Sequence, residues 1–159
     1  MHIDSQRAQW LKPTSQETGV IIVSHADLPQ YLIDTLNTEI SDWEQVAYLV
    51  IRQSTQLEEE WLDAENRAFS AQKPSNCEAN GLLSSIPKTC HLLDVEASHR
   101  AHLSWLGSVC GHKLHFFELE KLEEQTPSKA SMDSQVEEIL AATRHLVKNY
   151  LQDHFMSPY

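Results

Sequence analysis

The chain has 159 residues, of which 41% are hydrophobic and 22% are charged, a composition typical of one globular domain. Its 12 basic and 23 acidic residues give a formal net charge of −11, which argues against nucleic acid and anionic membrane surfaces as partners. The sequence has no signal-peptide pattern, no apolar run of about 18 residues and no CxxC motif among its three cysteines. We therefore expect a cytoplasmic protein with reduced cysteines.

Strand and helix patterns alternate along the chain. The polar residues 1–18 predict a flexible arm, or an arm that docks through Trp10, and residues 19–155 predict a single α/β domain. Short apolar runs indicate strands and four-residue apolar spacing indicates helices. The predicted strands cover 19–24, 43–52, 90–95 and 113–119, and the predicted helices cover 28–40, a segment from residue 55 onward, 97–110 and 134–154.

Two capping boxes mark predicted helix starts, one at Asp27 with Gln30 and one at Ser134 with Glu137. The polar segments 70–89 and 124–132 are predicted loops. Because strands and helices alternate, we predict an α/β fold with a mostly parallel sheet flanked by helices, including a long C-terminal helix.

The usual nucleotide and hydrolase motifs are missing from the sequence. The chain has four glycines and contains no GxxxxGK[ST], GxGxxG, GxSxG or HExxH motif. The carboxylates follow exposed helix faces in the predicted elements, so no paired acid and base is singled out. We expect a protein that is not an enzyme and needs no cofactor.

Histidines and cysteines are concentrated in the segment 90–115. Zinc sites usually show a CxxC or HxxxH spacing, and neither occurs in this segment. We therefore interpret these residues as dispersed side chains and predict no metal site. The residues are His91, His99, His102, His112, His115, Cys90 and Cys110.

His25 follows the first predicted strand, at the edge where open α/β sheets bind ligands. The stretch GVIIVSHADLPQYLIDTL, residues 19–36, resembles the opening of mannose-type phosphotransferase IIA domains. In that family, a phosphorylated histidine follows such a strand. The resemblance implies an alternative function, a phosphocarrier that uses His25.

Residues 28–64 contain a leucine-rich helix, a strand with an aromatic start at Trp43, a polar turn, and then Leu57-Glu58-Glu59-Glu60-Trp61-Leu62-Asp63-Ala64. This pattern resembles the SulA-type cell division inhibitors. The resemblance implies a RecA-like fold without a nucleotide site, in agreement with the missing phosphate-binding loop. It also implies a protein made in the SOS response to DNA damage.

The same resemblance implies that the protein binds FtsZ stoichiometrically and blocks FtsZ polymerisation and GTPase activity. It implies removal by the Lon protease, and it leaves a homodimer open. The positions carried over from the family are Ile51 and Trp61, with Arg52 and Leu57 as neighbours. Trp43, a tryptophan beside the same strand, completes the predicted partner-binding residues.

The helix opening Asp27-Leu28-Pro29 supports another alternative. It resembles the psi subunit of the replicative clamp loader. That resemblance implies a non-catalytic accessory subunit of a larger assembly.

Overall fold

One sheet with helices on both faces organises the chain. The computed structural model describes residues 7–71, 76–97, 102–120 and 127–155. Within these residues the strands are β1 (Ala8–Lys12), β2 (Val20–His25), β3 (Val46–Ile51), β4 (His91–Glu96) and β5 (Lys113–Glu118). The helices are α1 (Gln30–Glu39), α2 (Ser54–Ala71), α3 (Glu78–Leu83), α4 (Leu106–Val109) and α5 (Lys129–Phe155). The predicted α/β class with a long C-terminal helix is confirmed.

The strand order is β1-β3-β2-β4-β5. Strands β2 to β5 are parallel, whereas β1 pairs antiparallel with β3. After β2 the chain moves to β3 on one side, and it then returns to β4 on the other side. The connections therefore diverge between β2 and β4, and the crevice outside the carboxyl ends of these strands is where open α/β sheets usually bind ligands.

The three central strands are buried on both faces, which explains why their sequences are nearly continuous apolar runs. On one face, strand residues such as Ile22 and Tyr48 form a core with α1 and α5. On the other face, residues such as Ile21 and Leu49 form a second core with α2, α3 and α4. A side chain's position along a strand therefore decides which helix layer it contacts.

Helix α5 has 27 residues and buries one stripe against the sheet. The buried stripe includes Val136, Ile139, Leu140 and Leu146, at the spacing of an amphipathic helix. In the described parts of the chain, no helix combines the length and the apolar character needed to span a membrane.

Strand β1 corrects the predicted flexible arm. Residues 8–12 pair with β3, and Trp10 lies opposite Leu49. The Trp10 side chain is half-buried and packs on the α2 side of the sheet, as the docking alternative proposed. The flexible arm is therefore wrong for residues 8–12, while residues 1–6 lie outside the described residues.

Both predicted capping boxes are wrong. Helix α1 has Pro29 at its N-cap, with no side-chain cap. Helix α5 begins at Lys129, inside the predicted loop 124–132, and Ser128 Oγ accepts a hydrogen bond from the Ser131 N–H at 3.1 Å. Ser134 therefore lies within the helix, because an earlier serine supplies the cap.

Two further segments differ from the prediction. Helix α3 lies within the predicted loop 70–89, and Cys77 Sγ accepts the Asn80 N–H at its start at 3.4 Å. In the predicted helix 97–110, the helical residues of the described part are 106–109, and residues 98–101 lie outside the description. The Leu103 N–H donates to the Glu96 side chain, a contact that replaces a helical hydrogen bond there.

Candidate functional site

Helix α2 places one apolar face against the sheet. Leu57 is fully buried, and Ala64, seven residues later, is 2% exposed. Trp61 is half-buried beside them and stacks on Trp105, with ring centroids 5.4 Å apart and planes at 27°. Since aromatic pairs favour such offset contacts, this stack attaches α2 to the segment before α4.

A second apolar stripe on α2 faces solvent. Phe69 is 86% exposed and Leu62 is 50% exposed. Their seven-residue separation puts both side chains on one side of the helix, where Glu58 and Glu65 flank them. We call this surface the α2 outer face: Leu62 and Phe69 with Glu58 and Glu65. Exposed apolar groups with a polar rim are typical of docking surfaces.

An ion pair and a backbone contact fix the position of α2. Glu60 Oε2 lies 2.8 Å from Arg7 Nη1, and Glu60 Oε1 accepts the Glu78 N–H at 2.7 Å. The Glu78 N–H and then Arg7 hold the pKa of Glu60 below its usual value. Glu60 therefore links α2 to the start of β1 and to α3.

The predicted partner-binding residues do not form one surface. Ile51 and Leu57 are buried, so they support the fold beneath α2. Arg52 is exposed, and its guanidinium donates to the Gln9 side chain. Trp61 is half-buried, and Trp43 lies on the opposite face of the sheet beneath Arg144.

Sequence reasoning did not single out Leu62 and Phe69. Their seven-residue spacing could have indicated a second apolar face of the helix. This face lies on a different side of α2 from Leu57 and Ala64. The Leu57 and Trp61 pattern instead directed attention to the face that packs on the sheet.

A buried polar cluster occupies the edge where β2 and β4 end. His25 Nε2 lies 2.8 Å from Glu96 Oε1, and Glu96 Oε2 accepts the Leu103 N–H at 2.5 Å. Asp94 lies two residues before Glu96 on the same strand, and the side chains of Asp94 and Glu96 are both fully buried. The expectation that no acidic pair stands out, because the carboxylates follow exposed helix faces, is therefore wrong.

Burial sets the charges of this cluster. Burial raises the pKa of Asp94 to about 9, and the neighbouring Glu96 adds to the rise. Burial also acts to raise the pKa of Glu96, but contacts with His25, Asp94 and the Leu103 N–H hold it below its usual value. At neutral pH Asp94 is therefore protonated and Glu96 is ionised.

His25 is where the sequence places it, at the carboxyl end of a parallel strand, but it is only 7% exposed. Its Nε2 is bound to the Glu96 carboxylate, so neither this nitrogen nor the largely buried ring is readily reached by a phosphoryl group. The Glu96 carboxylate contacts both the His25 imidazole and the Leu103 backbone N–H. We call this pair of contacts the Glu96 clamp.

The histidine-rich segment divides into separate contacts. His91 Nδ1 lies 3.0 Å from His115 Nε2, whereas His112 Nε2 contacts the Ile86 carbonyl at 3.0 Å. Cys90 is buried, and its thiol donates to the Thr18 carbonyl at 3.2 Å. His102 packs against Phe116, Cys110 is half-exposed, and His99 lies outside the described residues.

Metal-ligating side chains do not converge in this part of the chain. Among the described residues, no three His, Cys, Asp or Glu side chains come together in a way that could hold a metal ion. Burial, then the Lys113 charge, lowers the pKa of His91, and burial, then His91, lowers the pKa of His115. The His91–His115 pair is therefore suited to a neutral, hydrogen-bonded state.

Comparisons with known proteins do not assign a family. No family model matches the sequence, and no curated protein matches it. Among solved structures, the lysine decarboxylase LdcF of Francisella novicida matches at 10% identity with a TM-score of 0.39. The match covers 88% of this chain and 18% of the decarboxylase, and a similarity at this level carries no argument about activity.

Proposed function

We propose that this protein is a non-catalytic inhibitor that binds another protein through the α2 outer face, and that its partner is FtsZ, as in SulA-type inhibitors. The observation that carries the proposal is the exposure of Phe69, at 86%, on the helix that bears the Leu57 and Trp61 pattern. The contact residues that we propose are Leu62 and Phe69.

The apolar area of the α2 outer face and its rigid support both favour binding. Burying a phenylalanine side chain in an interface contributes about 1.5–3 kcal/mol relative to leaving it in water. The Trp61–Trp105 stack and the Glu60 contacts hold the helix in place, so little ordering accompanies binding. The flanking Glu58 and Glu65 would orient the partner through its basic groups.

The proposed mechanism is stoichiometric capping. One chain would occupy the surface through which an FtsZ subunit joins its neighbour. Because FtsZ completes its GTPase site across that subunit contact, polymerisation and GTP hydrolysis would fall together. The proposal places the protein in the cytoplasm, with induction in the SOS response and turnover by Lon as further parts of it.

Sedimentation of FtsZ with GTP tests this proposal. We expect wild-type protein to reduce the pelleted FtsZ in proportion to its molar ratio, and Phe69→Glu to lose this effect. Phe116→Glu is a matched control, because Phe116 is also an exposed phenylalanine, at 47%, but lies on β5. Unchanged pelleting at an excess of wild-type protein would remove FtsZ as the partner.

The same exposed face is compatible with a second non-catalytic reading, an accessory subunit like the clamp-loader psi subunit. The inhibitor and the accessory subunit would bind different partners through the same contact residues. Co-purification of replication proteins with wild-type chain, lost in Phe69→Glu and kept in Phe116→Glu, would favour the accessory subunit. Recovery of FtsZ with the same dependence would favour the inhibitor.

The phosphocarrier alternative depends on a different residue. It requires His25 to accept a phosphoryl group, although its Nε2 is bound to Glu96 and the residue is only 7% exposed. A phosphocarrier would be inactivated by His25→Ala and unaffected by Phe69→Glu. The inhibitor proposed here would respond in the opposite way, provided that the His25→Ala variant remains folded.

A further inference from the structure

A groove lies on the face of the sheet opposite to α2, between the segment before β3 and the last turns of α5. It encloses about 770 Å³. Its lining is mainly apolar, with two cations on the α5 side. The residues that matter for binding are Trp43, Val46, Arg144, Val147, Lys148 and Leu151.

The cations of the groove belong to one helix face. Arg144, Val147, Lys148 and Leu151 recur at three- and four-residue intervals, so they form a single stripe. The Arg144 guanidinium lies 5.0 Å from the centre of the Trp43 ring, a cation–π contact that holds it over the groove.

Acidic groups also lie near the groove, and a neighbouring lysine faces them. Asp42 and Glu44 flank Trp43 in the sequence, and both act electrostatically on Lys12. Lys12 Nζ donates to the carbonyls of Ile40 and Trp43, each at 2.5 Å. Lys12 is thus engaged by this segment, and the positive charge that lines the groove comes from Arg144 and Lys148 of α5.

The α2 outer face complements this groove in charge and in apolar character. Leu62 and Phe69 span about 10.5 Å along a helix, and the groove stripe from Arg144 to Leu151 is equally long. The apolar side chains of one surface would meet Val147 and Leu151 of the other. Glu58 and Glu65 would then face the two cations.

From this complementarity we propose that the α5 groove binds the α2 outer face of a second copy of this chain. The two surfaces lie in different helix layers, on opposite faces of the sheet, so they cannot meet within one molecule. The contact is heterologous: each copy uses its groove for one neighbour and its α2 for another. The inference holds whichever partner α2 has, and self-association would compete with that partner.

This contact should be weak and dependent on salt. One helix in one groove buries less surface than the roughly 1,600 Å² of a standard stable interface, so we expect rapid exchange. Because charges flank the apolar contact, raising the ionic strength should weaken the association. Since such a dimer retains one unused groove and one unused α2 outer face, species larger than dimers should form as the concentration rises.

Sedimentation velocity over a concentration series tests the proposal directly. We expect wild-type protein and Phe116→Glu to shift to larger species with concentration, while Phe69→Glu and Arg144→Glu each remain monomeric. An equimolar mixture of the two monomeric variants should form a dimer and nothing larger. In that mixture the intact groove of Phe69→Glu receives the intact α2 of Arg144→Glu.

Several outcomes would overturn this inference. They are a wild-type protein that stays monomeric at all concentrations, single variants that associate like wild type, and a mixture that does not dimerise. Lys148→Glu is a second groove variant for the case that Arg144→Glu misfolds, because it leaves the Arg144–Trp43 contact intact. Lys148→Glu should also weaken self-association. FtsZ is absent from this experiment, so its result is independent of the partner proposed for α2.

Discussion

Glu96 and His25 meet across the two strands between which the sheet connections diverge, with Glu96 Oε1 2.8 Å from His25 Nε2. Many α/β proteins bind a ligand at this position. Here Glu96 also binds the Leu103 N–H, and Leu103 is a fully buried core residue. The edge thus holds the segment that leads to Trp105 and supports α2.

Glu96→Gln should destabilise the fold. The variant keeps the shape of the side chain but removes the buried negative charge that accepts from the Leu103 N–H and faces His25, and a hydrogen bond to a charged group contributes about 1.5–3 kcal/mol. Urea unfolding at pH 7 measures the loss. Glu44→Gln, at an exposed position, should leave the free energy of unfolding within about 0.5 kcal/mol of wild type. Equal stability of the two variants would contradict the clamp.

Asp94→Asn should change how stability depends on pH. The pKa of Asp94 is about 9 in the folded state against 3.8 in the unfolded chain, so the folded state holds the proton more tightly. Its contribution is fully present below pH 3.8 and is lost as the pH rises towards 9. Relative to Asp94→Asn, wild type should lose about 1.4 kcal/mol for each pH unit between these values.

Urea unfolding of both proteins at several pH values between 6 and about 8.5 tests this difference. Parallel curves for wild type and Asp94→Asn would mean that Asp94 is not protonated in the folded protein.

Acid should weaken the protein through the His91–His115 pair. The pKa of each histidine is lowered in the fold, so the contribution is present above the unfolded value of 6.5 and is lost as the pH falls below it. Lys113 and His145 add to the effect at His115, whereas Asp153 opposes it at His91.

Thermal unfolding at pH 7.5 and at pH 5.5 measures the acid effect. His115→Gln should reduce the difference in Tm between the two conditions, because one half-buried titrating group is removed. His102→Gln is the control at an exposed histidine and should retain the wild-type difference. A His115→Gln variant with the full wild-type difference would contradict this account.

Two apolar substitutions on α2 should have opposite effects on folding and on binding. Leu57→Ala creates a cavity at a fully buried position and should cost about 2–5 kcal/mol of stability. Phe69→Ala, at 86% exposure, should change stability by less than about 0.5 kcal/mol yet weaken partner binding. Urea unfolding of the two variants gives the comparison, and similar losses in both would contradict the assignment of the two faces.

The apolar runs in the sequence were sufficient to predict β2 and β3, because strands that are covered on both faces need nearly unbroken apolar runs. It was insufficient for β1, because residues 8–12 are extended only through pairing with β3. The clamp was also beyond sequence reasoning, since Glu96 meets His25 only when β4 lies beside β2. The same contact occupies the Leu103 N–H, in the described part of the segment where a helix was predicted over 97–110.

The helix that carries the candidate site was predicted from the sequence, but its exposed face was not. The Leu57 and Trp61 pattern correctly predicted a helix at α2, but a helical pattern alone does not say which face packs on the sheet. The structure places Leu57 inside and leaves Leu62 and Phe69 outside. The predicted partner-binding residues also included Trp43, which lies in the other helix layer.

The central claim is that the α2 outer face withholds FtsZ subunits one for one. The FtsZ GTPase rate, measured against the molar ratio of added protein, tests it most directly. The account predicts a linear fall that ends near equimolar protein, is constant over time, is absent with Phe69→Glu and is retained with Phe116→Glu. A GTPase rate that stays unchanged at an excess of folded wild-type protein would contradict it.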